Sequence, residues 1–237
     1  MNASTPKRRV LVTGSSRGIG LELVRQYADA GYDVIATCRD PDAAVELQAL
    51  AATDDQAVTV HRLDVASATD LDDLAARLDD VAIDILIGNA AVFGGPHSRF
   101  AGVDRDAWTH ALEVNAVGSI LVALRLWPNV AASTERKIVF VSSRAGLPRE
   151  GGPNRSYIYT SSKAALNAAA RCLALDLAPE GVIAALVNPG HVQTGIGGAK
   201  APMTVDESVA KLRSVIEHLA PADAGKFLHY DGTEIRF

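Results

Sequence analysis

Arg9-Val10-Leu11-Val12-Thr13-Gly14-Ser15-Ser16-Arg17-Gly18-Ile19-Gly20 is the stretch that decides the architecture. A short β-branched run enters a glycine-rich turn, and a helix-period segment opens near Gly18. Glycines at such a turn permit a tight reversal and let backbone N–H groups approach a pyrophosphate at the helix N-terminus. The spacing is G-x-x-x-G-x-G rather than G-x-G-x-x-G. A glycine trio alone also fits an ordinary βα turn, but its place in the first βα unit favours a nucleotide. The same residues contain Gly14-x-Ser16-x-Gly18, the G-x-S-x-G pattern of a hydrolase nucleophile. That reading leaves no earlier strand-loop to supply an oxyanion donor and gives Gly20 no purpose, so a serine hydrolase is only a remote alternative.

Outward from this loop, short β-branched runs alternate with longer helix-period segments, the pattern of βα units stacked on a parallel sheet. Further strands are predicted at 33–37, 58–63, 83–88, 137–141, 182–187 and 227–230. Helices are expected over 41–52, after Ser67 or Thr69, from 104 to about 126 with Pro128 helping to end it, and over 161–178. A last helix starts at Thr204, where Glu207 three residues on completes a capping box. Asp231-Gly232 marks a turn. No repeat, charge block or linker divides the 237 residues, so one domain is expected.

Composition narrows the function. Hydrophobic residues make up 48% and charged residues 22%, enough for a filled core and against disorder. A net charge of −5 argues against wholesale nucleic-acid binding. The two cysteines, Cys38 and Cys172, have neither disulfide-scaffold nor zinc-ribbon spacing, and they suit a reducing compartment. Six histidines (His61, His97, His110, His191, His218 and His229) show no metal spacing, so no metal is expected. Lys7-Arg8-Arg9 is followed by too few apolar residues for a signal-peptide core, and apolar runs elsewhere are broken short of a membrane span. Residues 1–8 read as a flexible tail, and a cytoplasmic chain with no membrane partner is the expectation.

Cofactor choice is read at the end of the second strand. A carboxylate there would bind the ribose 2′-hydroxyl of NAD, whereas an arginine accommodates the 2′-phosphate of NADP. Cys38-Arg39 occupies that position, and Arg17 offers a second cation from the glycine loop. Two arginines at these two sites favour a phosphate clamp, hence NADPH over NADH.

Tyr159-Thr160-Ser161-Ser162-Lys163 places a phenol and an ammonium at i and i+4, on one face of a helix start. A cation near tyrosine favours the phenolate and eases proton exchange. Sixteen positions earlier, Ser142-Ser143 ends the fifth strand, and both elements project to the carboxyl edge of the sheet, where open α/β proteins bind ligands.

With these motifs in view, the chain resembles the short-chain dehydrogenase/reductases over essentially its whole length. The resemblance rests on the stretch from Thr13 to Gly20, Asp64-Val65, Gly88-Asn89-Ala90-Ala91, Asn115, Ser142-Ser143, Tyr159 with Lys163, and Asn188-Pro189-Gly190 followed by Thr194. It implies an α/β fold: a single doubly wound Rossmann domain with a parallel sheet of about seven strands flanked by helices, and residues 193–219 serving as substrate lid and helix. It also implies a catalytic set. Tyr159 would give a proton to a carbonyl oxygen, Lys163 would lower its pKa and bind the nicotinamide ribose, and Ser143, before Ser142, would hydrogen-bond the substrate oxygen. Asn115 would hold a water in a proton relay. Gly14, Ser16, Arg17, Gly18, Ile19, Gly20 and Arg39 would hold the cofactor phosphates. Asp64 and Val65 would bracket its adenine, Asn89 and Ala90 would line its cleft, and Pro189, Gly190, Val192 and Thr194 would cover its nicotinamide.

Thr37 to Pro41, Pro189 to Thr194 and the tail around Tyr230-Asp231-Gly232 are similar to sniffer-type carbonyl reductases and C-factor-like proteins. These imply NADPH-dependent reduction of a ketone, aldehyde or quinone-like carbonyl by a homodimer or homotetramer. A C-factor-like signalling protein that binds nucleotide without turnover is the alternative. The chain departs from the family at Ala91, where glycine is usual, and in a long Ser143-to-Tyr159 segment containing Pro148, Gly151, Gly152 and Pro153. A short lid spans 193–202. Phe93, Leu147, Tyr157 and Val192 are candidate pocket walls. Arg99, Arg144, Arg149 and Arg155 are more simply read as solvated loop charges than as contacts to an anionic substrate.

Overall fold

The computed structural model describes residues 7–53, 58–95, 102–147 and 156–237. Seven strands, β1 (Arg9–Thr13), β2 (Asp33–Cys38), β3 (Val58–Arg62), β4 (Ile85–Gly88), β5 (Lys137–Val141), β6 (Ile183–Asn188) and β7 (Phe227–His229), form a parallel sheet in the order β3-β2-β1-β4-β5-β6-β7. Arg9 pairs with Asp33 on one side of β1, and Val10 pairs with Ile85 on the other. The strand order reverses between β1 and β4, which opens a crevice at their carboxyl ends.

Helices cover both faces. They are α1 (Gly18–Asp29), α2 (Val45–Ala51), α3 (Ala68–Arg77), α4 (Arg105–Leu112), α5 (Ser119–Ala131), α6 (Tyr157–Leu177) and α7 (Val205–Glu217), with a π-helical turn, Glu113–Gly118, between α4 and α5. Side chains alternate across each strand. Val10, Val12, Ile85 and Val139 pack with Leu23 of α1 and Leu212 of α7, while Leu11, Leu86, Ile138 and Phe140 pack with Leu126 of α5 and Leu166 of α6. The result is the expected three-layer, doubly wound Rossmann architecture.

Several boundaries differ from the sequence reading, each for a local reason. The helix expected from Pro41 begins only at Val45, because the Asp40 carboxylate accepts the Ala43 N–H and holds residues 40–43 as a turn. Pro128 lies inside α5 rather than ending it. The bond it cannot donate would go to the carbonyl of Leu124, a half-exposed residue where water can serve instead. Helix α6 starts at Tyr157, four residues early, since the Ser156 hydroxyl accepts the Tyr159 N–H as an N-cap. β4 begins at Ile85 rather than Ile83, whose N–H bonds to the Asn129 carbonyl.

One expectation about the ends of elements also changes. Arg8 belongs to the fold rather than to a frayed tail: it pairs with Glu135 at 3.2 Å and lies over the Tyr32 ring. Residues 1–6, the turn-rich stretch Pro148 to Pro153, His97, Arg99, Arg149 and Arg155 lie outside the described residues. The run Arg105–Ala131 holds an 18-residue window of mean hydropathy 1.3, a composition that a buried core helix shares with a membrane span, and no clear span emerges among the described residues. Half of it is buried in the fold, where Val122, Ala123, Leu126 and Val130 pack against the sheet.

Candidate active site

The β1–α1 loop is shaped by close backbone approach. Gly14 has φ +69°, and a Cβ there would lie 2.7 Å from the Ala90 Cα; one on Gly20 would lie 2.6 Å from Asn89 Nδ2. Both glycines are therefore required by close packing, Gly14 against the backbone of Ala90 and Gly20 against the Gly14 carbonyl and Asn89, which holds the loop in a tight turn at the start of α1. Asn89 pins the turn from β4, its amide donating to the carbonyls of Thr13 and Gly14 at 2.9 and 3.1 Å. The Thr13 hydroxyl accepts the N–H groups of Asn89 and Ala90, a bridging role that the sequence did not reveal. Ser15 is structural, its hydroxyl donating to Val12 O. Ser16 is exposed and has no histidine partner among the described residues, so nothing activates it as a nucleophile.

The edge of β2 carries the cations. Arg17 and Arg39 are both exposed, and among the described residues neither makes an ion pair. Below β3, Asp64 uses one carboxylate oxygen to accept the Ala66 N–H, while Val65 is buried. Thr194 and Gly18 approach each other across the loop, since a Cβ on Gly18 would lie 3.7 Å from the Thr194 methyl.

Helix α6 places the tyrosine and lysine against the end of β5. Lys163 is 2% exposed, and its Nζ donates to Val141 O at 2.9 Å. Among the described residues no carboxylate partners it, and burial lowers its pKa to about 8. Tyr159 packs on Phe93, ring centroids 5.4 Å apart. Burial pushes its phenol above the ordinary tyrosine value, while a hydrogen bond with Ser143 pulls the other way. The expected lowering of the tyrosine pKa by Lys163 is thus not what dominates here; burial does. Ser142 is buried, and its hydroxyl is taken by Asn167 Oδ1 at 2.5 Å. That leaves Ser143 as the hydroxyl facing the tyrosine.

Asn115 sits in the π-helical turn, fully buried. Its amide accepts the Val92 N–H and donates to Val92 O and to the Ser162 hydroxyl, at 2.7, 2.8 and 2.9 Å. Both amide hydrogens are therefore committed. Ser162 in turn donates to Tyr159 O, so this amide ties the loop after β4 to the first turn of α6. Ser162 and Asn167 were missed from sequence, because their partners lie in other elements.

The segment after β6 closes the cavity's other wall. Ser208 of α7 donates to Pro189 O. Val192 bridges Met203, Gln193 N–H donates to Met203 O, and Thr194 Oγ1 accepts the Gly197 N–H. Helix α7 anchors the segment to the core, with Val209, Leu212 and Ile216 fully buried. Together the walls enclose a cavity of about 550 Å³ that brings Ile19, Asn89, Ser143, Tyr159, Lys163 and Thr194 together. His191 lies on this wall, as does His229 from β7, which the sequence did not single out. Phe93 and Val192 line it too; Leu147 lines an adjoining cavity. Tyr157 is half-exposed and instead faces the Trp108 ring, centroids 6.4 Å apart.

Comparison with known proteins places this arrangement. Residues 8–205 match the sequence model described as short chain dehydrogenase. The C-signal of Myxococcus xanthus is 36% identical over 153 residues, covering 65% of this chain and 92% of that protein. Among solved structures, the carbonyl reductase Sniffer of D. melanogaster superposes with a TM-score of 0.89 at 28% identity, over 98% of this chain and all of that one. The NADPH-bound carbonyl reductase from chicken fatty liver gives the same TM-score, identity and coverage.

Proposed function

The chain belongs to the short chain dehydrogenase family, and on that premise we propose that it is an NADPH-dependent reductase of a ketone, aldehyde or quinone-like carbonyl. One observation carries the proposal: Ser143, Tyr159 and Lys163 line one cavity together with Ile19 of the glycine loop and Asn89. The tight glycine turn fits a pyrophosphate, because it sets backbone N–H groups at the start of α1, and at Gly18 the nearest atom a Cβ would meet is the Thr194 methyl at 3.7 Å. Gly14, Ser16, Gly18, Ile19 and Gly20 would hold that group, and Arg17 and Arg39 the 2′-phosphate. Asp64, Val65, Asn89 and Ala90 would flank the nucleoside, with Pro189, Gly190, Val192 and Thr194 at the nicotinamide. The chicken fatty liver reductase, similar over nearly the whole chain, is NADPH-bound, which supports the phosphate over the hydroxyl.

When bound, NADPH supplies the hydride. This chain supplies the proton and the geometry. Tyr159 gives its phenolic proton to the carbonyl oxygen, and Ser143 hydrogen-bonds the same oxygen, so charge developing there meets two donors. Lys163 keeps an ammonium beside the tyrosine below pH about 8. Asn115, with both amide hydrogens engaged, acts first as the clamp that fixes the Tyr159 turn. The second reading, a C-factor-like signalling protein, is favoured by the similarity to C-signal. Assembly as a homodimer or homotetramer fits the exposed apolar row Val117, Leu121 and Leu124 and the exposed Leu175 of α6.

The direct test follows NADPH oxidation with a panel of carbonyl compounds and a matched NADH control. Turnover with NADPH that is much weaker with NADH is expected. No turnover with any carbonyl, despite tight NADPH binding, would favour the signalling reading.

A further inference from the structure

Of the four arginines that flank the sequence of the site, Arg144 is the one among the described residues, and it lines the catalytic cavity. It follows Ser143 directly, so its guanidinium stems from the residue next to the tyrosine's hydrogen-bond partner. Its side chain is exposed, and among the described residues it makes no ion pair. His191 and His229 stand on the same walls, and the described lining residues include no aspartate or glutamate. The cavity thus combines apolar lining residues Phe93, Val192 and Ile196 with a fixed positive charge and two imidazoles, and among the described residues it offers that charge no anion of its own.

Arg144 and His229 also line a second, adjoining cavity of about 520 Å³, and its walls differ in sign. Asp231 and Glu234 lie there, with Arg236. Asp231 Oδ1 stands 3.5 Å from His229 Nδ1. An anion entering the adjoining cavity would face two carboxylates, whereas on the catalytic side of Arg144 it faces none among the described residues. The charge asymmetry directs a negative group to the catalytic cavity.

We propose that Arg144 is a specificity-determining residue that selects carbonyl substrates bearing a carboxylate, with the acid group seated against the Arg144 guanidinium in the catalytic cavity. This rests on the reductase reading for turnover, but not for binding. A guanidinium presents paired N–H donors that match a carboxylate, and a charge-assisted contact of this kind changes affinity by about tenfold or more.

The test compares 4-carboxybenzaldehyde with its uncharged counterpart 4-formylbenzamide in NADPH-dependent turnover, using wild type, Arg144→Gln and Arg144→Lys. In parallel, calorimetry measures binding of benzoate and benzamide, which cannot be reduced, to the NADPH complex of each protein. The expected result is an acid-to-amide ratio of about ten or more in both assays for wild type. That ratio should collapse toward unity in Arg144→Gln and largely survive in Arg144→Lys. A wild-type ratio near one, or the same ratio in Arg144→Gln, overturns the proposal. Benzoate selectivity without any turnover would instead sink the reductase reading and leave the carboxylate site standing.

Discussion

An ammonium sealed from water beside a single carbonyl is an expensive arrangement, and Lys163 has it. Its folded pKa, about 8, lies below the unfolded value of 10.5. Between those values the unfolded chain holds a proton that the folded chain has released, so stability rises with pH across that window. At pH 7 the penalty is fully present, about 3 kcal/mol from the shift alone, offset in part by the bond to Val141. Lys163→Met should therefore unfold at higher urea concentration at pH 7, by about 1–2 kcal/mol, with the gain shrinking toward pH 10, while reductase turnover is lost. A less stable Lys163→Met would contradict this. The same ionisation sets the pH profile. Burial raises the Tyr159 pKa, so the acid stays protonated through neutral pH, and carbonyl reduction should first decline above pH about 8, where Lys163 loses its charge. Steady-state rates that stay level to pH 10 would exclude that role. Tyr159, Lys163, Ser143 and Asn115 were readable in sequence because motif spacing marks them. Thr13, Ser162 and Asn167 were not, because each acts through a partner supplied by a distant element.

Element by element, sequence pattern located every strand and most helices, since burial imposes a period of two or 3.6 on the apolar residues. It failed where a side chain overrode the pattern: Asp40 delaying α2, Ser156 advancing α6, and Pro128 tolerated where the lost bond faces solvent. The π-helical turn is a similar case. A buried asparagine in an apolar helix was visible, but its commitment to Val92 and Ser162 required the fold. The β1–α1 and β2–α2 connections yield a prediction of their own. Arg39 is exposed and without an ion pair among the described residues, so its removal leaves the fold intact. Arg39→Ala should weaken NADPH binding roughly tenfold or more and leave NADH binding nearly unchanged, as measured by fluorescence titration. Equal losses for both cofactors would remove the 2′-phosphate from Arg39's duties.

At the scale of the whole molecule, the sheet order brings the glycine turn, the Ser143–Tyr159–Lys163 group and the Pro189–Thr194 wall to one edge from segments far apart in sequence. Composition and βα alternation made that architecture legible, while the assembly surface was not, because outward-facing apolar residues on α5 and the π-helical turn before it carry no motif. Val117, Leu121 and Leu124 are 53%, 44% and 48% exposed. Charging this row with Leu121→Glu should shift the chain to a monomer in light scattering without unfolding it, and an unchanged mass would place any interface elsewhere.

The central claim, that this edge reduces carbonyls with a proton from Tyr159, is tested most directly by Tyr159→Phe. NADPH oxidation with a good carbonyl substrate is measured alongside the NADPH dissociation constant. The account predicts that kcat drops by about 10²–10⁴-fold, with cofactor affinity nearly retained. Near-normal turnover in Tyr159→Phe would contradict it.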